Sequence, residues 1–389
     1  MGERVDVAIV GAGFAGLTLA CRLAERGLET AVLERREALP GSGAAITLQP
    51  NGLAALDRLG LLARVEDAGS RMRRVSIRGV DDHEVGCWDY GELDHPQPYI
   101  VGIKRQSLLS LLTERLGERG GAPPRFGCAF EGLVRAGGNV RGVRHSQGEL
   151  LARQVVGADG VGSAVRSALG IRAFSGRSDP FVVGIGARPA QLCDAEALIY
   201  LGPGYGNGVM RAAAGAYFWD HVDPTVRPAV AARDFAAWRA LYVERIPCGR
   251  QITAGLHSFD ELTVLSGRVL LVARRAVDGA VLLGDAAGAV HPHSGQGANL
   301  AIEDALALGD SLLGGGRRAP ARRRCRRLVD YSRSGRRATA VARSAVAART
   351  LDAPNALWRA VRHATFAAGQ VGPVRRRLLA EQAGVGLIS

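Results

Sequence analysis

Gly11-Ala12-Gly13-Phe14-Ala15-Gly16 stands between the apolar run Val5-Asp6-Val7-Ala8-Ile9-Val10 and a segment with apolar residues at Leu17, Leu19, Ala20 and Leu23. A strand that passes through three such glycines into a helix must set the helix N-terminus, with its unsatisfied N–H groups, at the strand's carboxyl end. Glycine is needed for the sharp turn, for close approach of a pyrophosphate to the backbone, and for packing helix on strand. A second strand, Thr30 to Leu33, ends in Glu34-Arg35, the distance at which an acid meets ribose hydroxyls. Gly11, Gly13, Phe14, Ala15, Gly16 and Glu34 therefore point to a dinucleotide site in a Rossmann-like α/β unit; the alternative is a glycine-rich turn without a ligand.

A later stretch, Ala280 to Asp304, reads AVLLGDAAGAVHPHSGQGANLAIED. Val281-Leu282-Leu283 ends abruptly at Gly284-Asp285, a loop with histidines and a proline follows, and helical periodicity resumes from about Ala298. Gly295 and Gly297 let main-chain N–H groups converge at the helix start. Such a loop suits a flat, electron-rich ring better than a metal or a nucleophile. His291 and His293 have no third ligand at sensible spacing for a metal, and Ser294 lacks the GxSxG elbow of a hydrolase. One of the histidines can serve as a proton shuttle.

Between these stretches, Gly41-Ser42-Gly43-Ala44-Ala45-Ile46 through Gly52 is a small-residue crossing where a ligand can run close to the backbone, with Asn51 read as a helix cap. A strand from Tyr99 to Ile103 leads to Lys104-Arg105 and an amphipathic helix with Leu108, Leu109, Leu111, Leu112 and Leu116. Arg105 at that junction is placed for a phosphate or ribityl contact, or is a solvated helix-start arginine. Gln154-Val155-Val156-Gly157-Ala158-Asp159-Gly160 runs into a helix with Arg166; a capped turn is the alternative for Asp159. From Phe181 to about Leu271 the pattern changes to strands at Phe181–Gly186, Ala197–Leu201, Gly208–Arg211, Ala216–His221 and Gln251–Leu256, with one helix from Val230 to Tyr242. The glycines around Pro203 make a hairpin turn. This segment reads as an antiparallel sheet inserted into the nucleotide-binding fold, the wall of a substrate pocket. Its candidate lining is Tyr200, Met210, Arg211, Trp219 and His221, with Met210 and Trp219 equally readable as core. The expected division is 1–178 and 273–315 as the two parts of a cofactor-binding domain, 179–272 as the inserted sheet, and 316–389 as a helical C-terminal region. There Arg322, Arg323, Arg324, Arg326 and Arg327, within the dense stretch Arg317–Arg337, read as the wet face of a helix whose other face carries Leu328 and Tyr331.

The net charge of +13 raises nucleic acid as a partner. Lys104 is the only lysine, however, and aromatics make up 5% of residues, so the arginines read as a coding bias and nucleic acid is set aside. Cys21, Cys87, Cys128, Cys193, Cys248 and Cys325 show no CxxC spacing, which disfavours a zinc site or a disulfide framework and fits a reducing, cytoplasmic setting. A strand beginning at Val5 leaves no room for a signal peptide, and no apolar run reaches the ~20 residues of a membrane span.

Three elements together, Gly11 to Gly16 with Glu34-Arg35, Ala158-Asp159-Gly160, and Gly284-Asp285 with Pro292 and Gly295-Gln296-Gly297, resemble the FAD-dependent aromatic monooxygenases of the para-hydroxybenzoate hydroxylase family over roughly residues 4 to 345. The resemblance implies an α/β, Rossmann-like FAD-binding fold with an inserted antiparallel sheet and a helical C-terminal region. It implies that Gly11, Gly13 and Gly16 hold the FAD pyrophosphate, that Glu34 holds the adenosine ribose with Arg35 beside it, and that Ala45 and Arg105 lie on the flavin's path. Asp159 and Gly160 with Arg166 would serve pyrophosphate and NAD(P)H. Gly284 and Asp285 would meet the ribityl chain; Gly295, Gln296, Gly297, Ala298 and Asn299 the pyrimidine edge; and the Pro292 carbonyl the reacting face. A helix start carries about half a positive charge, which suits the anionic edge of reduced flavin.

The activity implied is hydroxylation or epoxidation of an aromatic or polycyclic small molecule by molecular oxygen through a flavin hydroperoxide, with NAD(P)H as electron donor. Two other readings compete: a flavin-dependent reductase or oxidase of an isoprenoid or quinone, and a non-catalytic FAD-binding protein. The sequence leaves the family pattern at Gly288, where many members carry histidine.

Overall fold

The computed structural model describes residues 3–40, 45–177, 179–192, 196–213, 215–265, 267–313, 337, 340–344 and 372–385. Glu3–Val10 lies between two parallel neighbours, Thr30–Leu33 and Gly148–Gly157, and Ala280–Leu282 runs parallel on the far side of Gly148–Gly157. A strand covered on both faces must be apolar at every position rather than alternating, which is why Val7-Ala8-Ile9-Val10 is continuous. Val7 and Ile9 pack among the helices Phe14–Ala24, Pro50–Arg58, Arg105–Glu118 and Gly297–Leu313. Ala8 and Val10 face the other way, onto a layer that includes the antiparallel strands Phe130–Ala136 and Asn139–His145. All four strand ends that carry the sequence motifs thus converge on one edge of one sheet.

The second large sheet runs in the order Thr263–Leu265, Phe181–Gly186, Gly215–His221, Tyr205–Ala212, Glu196–Gly202, Arg74–Gly79, Glu84–Asp89. Its pairings are antiparallel except that Glu196–Gly202 and Arg74–Gly79 run parallel. Two of its strands therefore come from ahead of residue 179. The hairpin at Pro203-Gly204 forms, with Gly204 at φ +82°.

Two expectations fail here. Gln251–Leu256 is not a strand: Gln251 and Ile252 end a short helix, Gly249–Ile252, and a turn follows; Ile252 and Leu256, four residues apart, both enter the helix-side core, a spacing that serves a helical turn. The single helix expected over Val230–Tyr242 is two, Arg227–Ala231 and Phe235–Arg245. Arg233 at φ +52° breaks it, and the Asp234 carboxylate accepts the Ala237 N–H (3.0 Å) to start the second.

This sheet has two buried faces. Leu198, Val209 and Phe218 pack on Trp238 and Tyr242 of the helices. The opposite face, with Phe181, Val183, Met210 and Tyr217, packs on Ala45, Met72 and Ile100, and on Leu379 and Ala383 from the C-terminal helix Gly372–Gln382 and the turn after it. The arginines Arg322 to Arg327, with Leu328 and Tyr331, lie outside the described residues, as do Gly41–Ala44, Cys193 and Cys325. Among the described residues no helix is long and apolar enough to cross a membrane.

Candidate active site

The three glycines of the first loop differ in what surrounds them. A Cβ on Gly11, which sits at φ +109°, would lie 2.4 Å from the Ala158 carbonyl oxygen, and one on Gly16 would lie 2.0 Å from the Gly11 carbonyl oxygen. Both are backbone-on-backbone contacts. A Cβ on Gly13 would meet no atom within 4 Å, so this position faces open space at the start of the Phe14–Ala24 helix. That is the division of labour a pyrophosphate loop requires. Glu34 is buried, and its carboxylate accepts the N–H groups of Ala12 (3.0 Å) and Arg36 (3.1 Å), which locks the acid to the glycine loop. Arg35 is exposed; it is Arg36 whose guanidinium lies 3.7 Å from Glu34.

Arg105 begins its helix at the end of Ile100–Lys104, with Ala45 paired opposite Lys104 on the neighbouring strand. Its guanidinium lies over the Phe14 ring at 5.3 Å. Its Nε is buried and has no hydrogen-bond partner among the described residues. Burial first, and the nearby Arg36 second, hold this guanidinium below the usual arginine range, against the pull of Asp285 and Glu34. An uncompensated buried donor costs on the order of 1–3 kcal/mol, so the site is built for an anionic or hydroxylic ligand. Phe14 thus enters as a platform for Arg105, a role its place in the glycine motif did not signal.

Asp159 takes the capped-turn alternative: its oxygens accept the Ser163 hydroxyl and the Val165 N–H (3.1 Å) at the start of the Ala164–Ala168 helix. Gly160 beside it is at φ +82°. Arg166 donates to the carbonyls of Val161 (2.8 Å) and Ala286 (3.2 Å), and burial holds its guanidinium below the usual range. Arg166 thereby braces the turn Gly284–Ala287, and Asp159 holds the start of the helix that carries Arg166.

Gly284, at φ +60°, comes so close to the Phe14–Ala24 helix that a Cβ would sit 2.9 Å from that of Ala15, which explains Ala15 at this position. The Asp285 side chain is 46% exposed, yet protein surrounds it at longer range. Burial pushes its carboxyl up, and Arg337 and Arg105 pull it down. Arg337, the last residue of the arginine-dense stretch, is buried and inserted beside this turn.

Beyond Gly288 the loop folds on itself. The Pro292 carbonyl accepts the Gly295 N–H (2.9 Å), Gly295 is at φ +60°, and the helix Gly297–Leu313 begins with N–H groups that no residue within the helix can satisfy. Asn299, fully buried, stitches the loop to the Ala45–Leu48 strand: it accepts the Gln49 N–H (2.9 Å) and donates to the carbonyls of Thr47 (3.0 Å) and Gly295 (2.8 Å). Gln296 donates to the Gln382 carbonyl (2.6 Å) and accepts from Asn51 (3.2 Å). Asn51 is therefore inside the Pro50–Arg58 helix and not its cap.

His291 and His293 stack with ring centroids 4.9 Å apart, and His293 lies edge-on to Phe181 (4.8 Å) and 5.5 Å from His221. His221 in turn lies 3.5 Å from Asp179. Loop and sheet are thus joined by a row of imidazoles. Among the described residues no group of three His, Cys, Asp or Glu is arranged to hold a metal ion.

Met210, Trp219 and His221 share the sheet face toward this loop. Two expected pocket residues do not. Tyr200 points to the opposite face, where it packs among the helix-side residues with its hydroxyl 3.1 Å from Asp82. Arg211 alternates with Met210 along its strand and pairs with Ala216 of the same helix-side core. Strand alternation separates neighbours such as Met210 and Arg211 onto different faces.

A family model described as "FAD binding domain" matches residues 4–343. The chain is 32% identical over 346 residues to the 6-methylpretetramide 4-monooxygenase of Streptomyces rimosus, covering 82% of this chain and 77% of that one. It is 31% identical over 328 residues to the 3-amino-4-hydroxybenzoate 2-monooxygenase of Streptomyces cremeus, covering 78% and 77%. Its fold superposes on P. aeruginosa PqsL in complex with 2-aminobenzoylacetate with a TM-score of 0.81 at 25% identity, covering 90% of this chain and 97% of that one. It also superposes on a single-residue variant of Klebsiella pneumoniae HpxO complexed with FAD, with a TM-score of 0.84 at 21% identity over 99% and 100% of the two chains, a likeness of fold. The open space at Gly13, the buried Nε of Arg105 that has no partner among the described residues, and the helix start at Gly297 fit that cofactor, and the chain belongs to the FAD-binding-domain family of FAD-dependent aromatic monooxygenases.

Proposed function

We propose that this enzyme uses NAD(P)H and molecular oxygen to hydroxylate or epoxidise an aromatic or polycyclic small molecule of secondary metabolism. The observation that carries this is Phe181 of the inserted sheet lying edge-on to His293 of the loop from Gly284 to Asn299, on the sheet face that also carries Met210, Tyr217 and Trp219. A flat apolar substrate is the ligand such a wall fits. Relatives named for a pretetramide and for an aminohydroxybenzoate support the same class.

Bound FAD would supply the redox chemistry that links NAD(P)H to oxygen. The chain's own residues do the rest. Gly11, Gly13 and Gly16 with the N-terminus of the Phe14–Ala24 helix take the pyrophosphate, Glu34 the ribose, Arg105 and Asp285 the linker, and the N–H groups of Gly297, Ala298 and Asn299 the pyrimidine edge. His293, between the loop and Phe181, takes up and returns the proton of a substrate hydroxyl or amine, with His291 stacked behind it. Residues 1–178 and 273–315 form the cofactor domain, 179–272 most of the substrate wall, and 316–389 the C-terminal region. The protein works in the cytoplasm.

Screening aromatic metabolites for substrate-stimulated NAD(P)H consumption tests the reading. A product heavier by one oxygen is expected. Reduced product without added oxygen would favour a flavin reductase, and FAD binding without turnover on any substrate a binding protein.

A further inference from the structure

Arg337 comes from a segment beyond the helix that closes the FAD-binding core, yet its side chain is 1% exposed and reaches the flavin loop. Its Nε donates to the Asp304 carboxylate, its Nη1 donates to the Gly288 carbonyl at 2.6 Å, and the same Nη1 lies 3.7 Å from Asp285. A guanidinium offers this fork of donors in one rigid plane; an ammonium does not. The residue that makes room for it is Gly288, the position where the sequence leaves the family pattern. Gly288 is at φ +144°, and a Cβ there would lie 3.2 Å from the Leu270 carbonyl oxygen and 3.5 and 3.6 Å from Cδ and Cγ of Arg337. A Cβ at Gly288 would stand in van der Waals contact with the Arg337 stem, on a backbone conformation that side chains rarely adopt. The glycine and the buried arginine are one arrangement.

We propose that Arg337 is a positioning residue for FAD: it clamps the turn from Gly284 to Gly288 onto the Gly297–Leu313 helix and holds the Asp285 carboxylate toward the cofactor's ribityl hydroxyls. The proposal rests on the FAD site described above. The charged groups around Asp285 are Arg337 and Arg105, with Asp304 against Arg337, and Arg36 and Glu34 against Arg105. Burial already pushes the Asp285 carboxyl up, and Arg337 is the first of the two cations opposing that push. Without Arg337 the carboxyl rises further and protonates at a higher pH. A protonated carboxyl loses acceptor capacity for the ribityl hydroxyls, so FAD affinity of the variant must fall as pH is lowered over a range where the wild type holds steady.

The experiment titrates apo-protein with FAD, following flavin fluorescence from pH 6 to pH 8.5, for wild type, Arg337→Met and Arg337→Lys, with melting temperatures of the apo-proteins alongside. Arg337→Met is expected to bind FAD at least tenfold more weakly at pH 7, with the deficit growing toward pH 6. Arg337→Lys keeps the charge but not the fork, and is expected to regain the wild-type pH profile at several-fold weaker affinity. Wild-type affinity in either variant overturns the proposal. So does a loss in Arg337→Met that is the same at every pH and tracks the melting temperature, because a merely structural arginine would behave that way. If Arg337→Met does not fold, Arg337→Lys decides: several-fold weaker FAD binding with an unchanged apo melting temperature supports the proposal, and wild-type affinity or a loss that tracks the melting temperature overturns it. Wild-type protein that binds no FAD would instead overturn the cofactor assignment itself.

Discussion

Substituting alanine at Gly13 and at Gly16 should separate cofactor binding from folding within one six-residue loop. At Gly16 the new methyl lies 2.0 Å from the Gly11 carbonyl oxygen, more than 1 Å inside ordinary contact, and neither atom can move without shifting the turn or the helix. Overpacking of this kind costs about 1–3 kcal/mol, of which better helix propensity returns up to about 1 kcal/mol. At about 2–4 °C per kcal/mol for a domain of this class, the apo-protein should melt several degrees lower. At Gly13 the backbone is extended, φ −83° and ψ −174°, and a methyl meets nothing within 4 Å, so apo stability should stay within about 1 kcal/mol. The methyl does, however, stand where the pyrophosphate must approach. Gly13→Ala should therefore weaken FAD at least tenfold, about 1.4 kcal/mol. Thermal melting of both apo-variants and fluorescence titration with FAD measure the two effects. A Gly13→Ala protein that binds FAD within threefold of wild type would refute the assignment of this glycine.

Tyr200→Phe should leave KM for the substrate unchanged while costing about 1 kcal/mol of stability, because its hydroxyl serves Asp82 on the far side of the sheet; Trp219→Ala and Met210→Ala should raise KM, and the reverse pattern would mean the two faces are misassigned. Asp220, fully buried beside Trp238, is pushed by burial from 3.8 up to about 7. A carboxyl raised on folding stabilises most below its unfolded value and loses that contribution as pH rises, here from about 4 to about 7 at up to 1.4 kcal/mol per pH unit. Asp220→Asn should flatten stability over that interval, and an unchanged slope in urea unfolding at pH 4.5, 5.5 and 6.5 would discount the carboxyl. His293→Ala should keep FAD affinity but shift the pH profile of substrate oxygenation; a profile superposing on wild type removes the proton-transfer role.

The cofactor half was legible because its signals are local. The run from Val5 to Val10, the spaced glycines and Glu34 are each fixed by a strand or turn made of neighbours in sequence, and the parallel pairing of Glu3–Val10 follows from the βαβ rule. The start of the helix at Gly297 was equally readable from the glycine before it and the apolar period after it. The inserted sheet was readable as strands but not as faces. Nothing in a single strand says which of its two sides meets the flavin, so Met210 and Arg211, or Tyr200 and Trp219, could not be sorted until pairing set them against Trp238 on one side and the loop on the other.

What the sequence hid is long-range and charged. An arginine among many arginines carries no mark of burial; Arg337 is distinguished only by partners, Asp304 and the Gly288 carbonyl, that the fold brings to it. The one local sign was at the other end of the contact, the missing side chain at Gly288. The Arg337 stem lies at contact distance from where a Cβ at Gly288 would stand, and packing of this kind joins residues far apart in sequence. The C-terminal helix follows the same logic. Its residue Leu379 and Ala383 of the turn after it complete the apolar face that includes Met210 and Tyr217, while Gln382 bonds the loop at Ser294 and Gln296. On the proposed reading the Gly372–Gln382 helix backs the substrate wall, and Leu379→Ala should change KM across a panel of substrates while FAD affinity stays at the wild-type value.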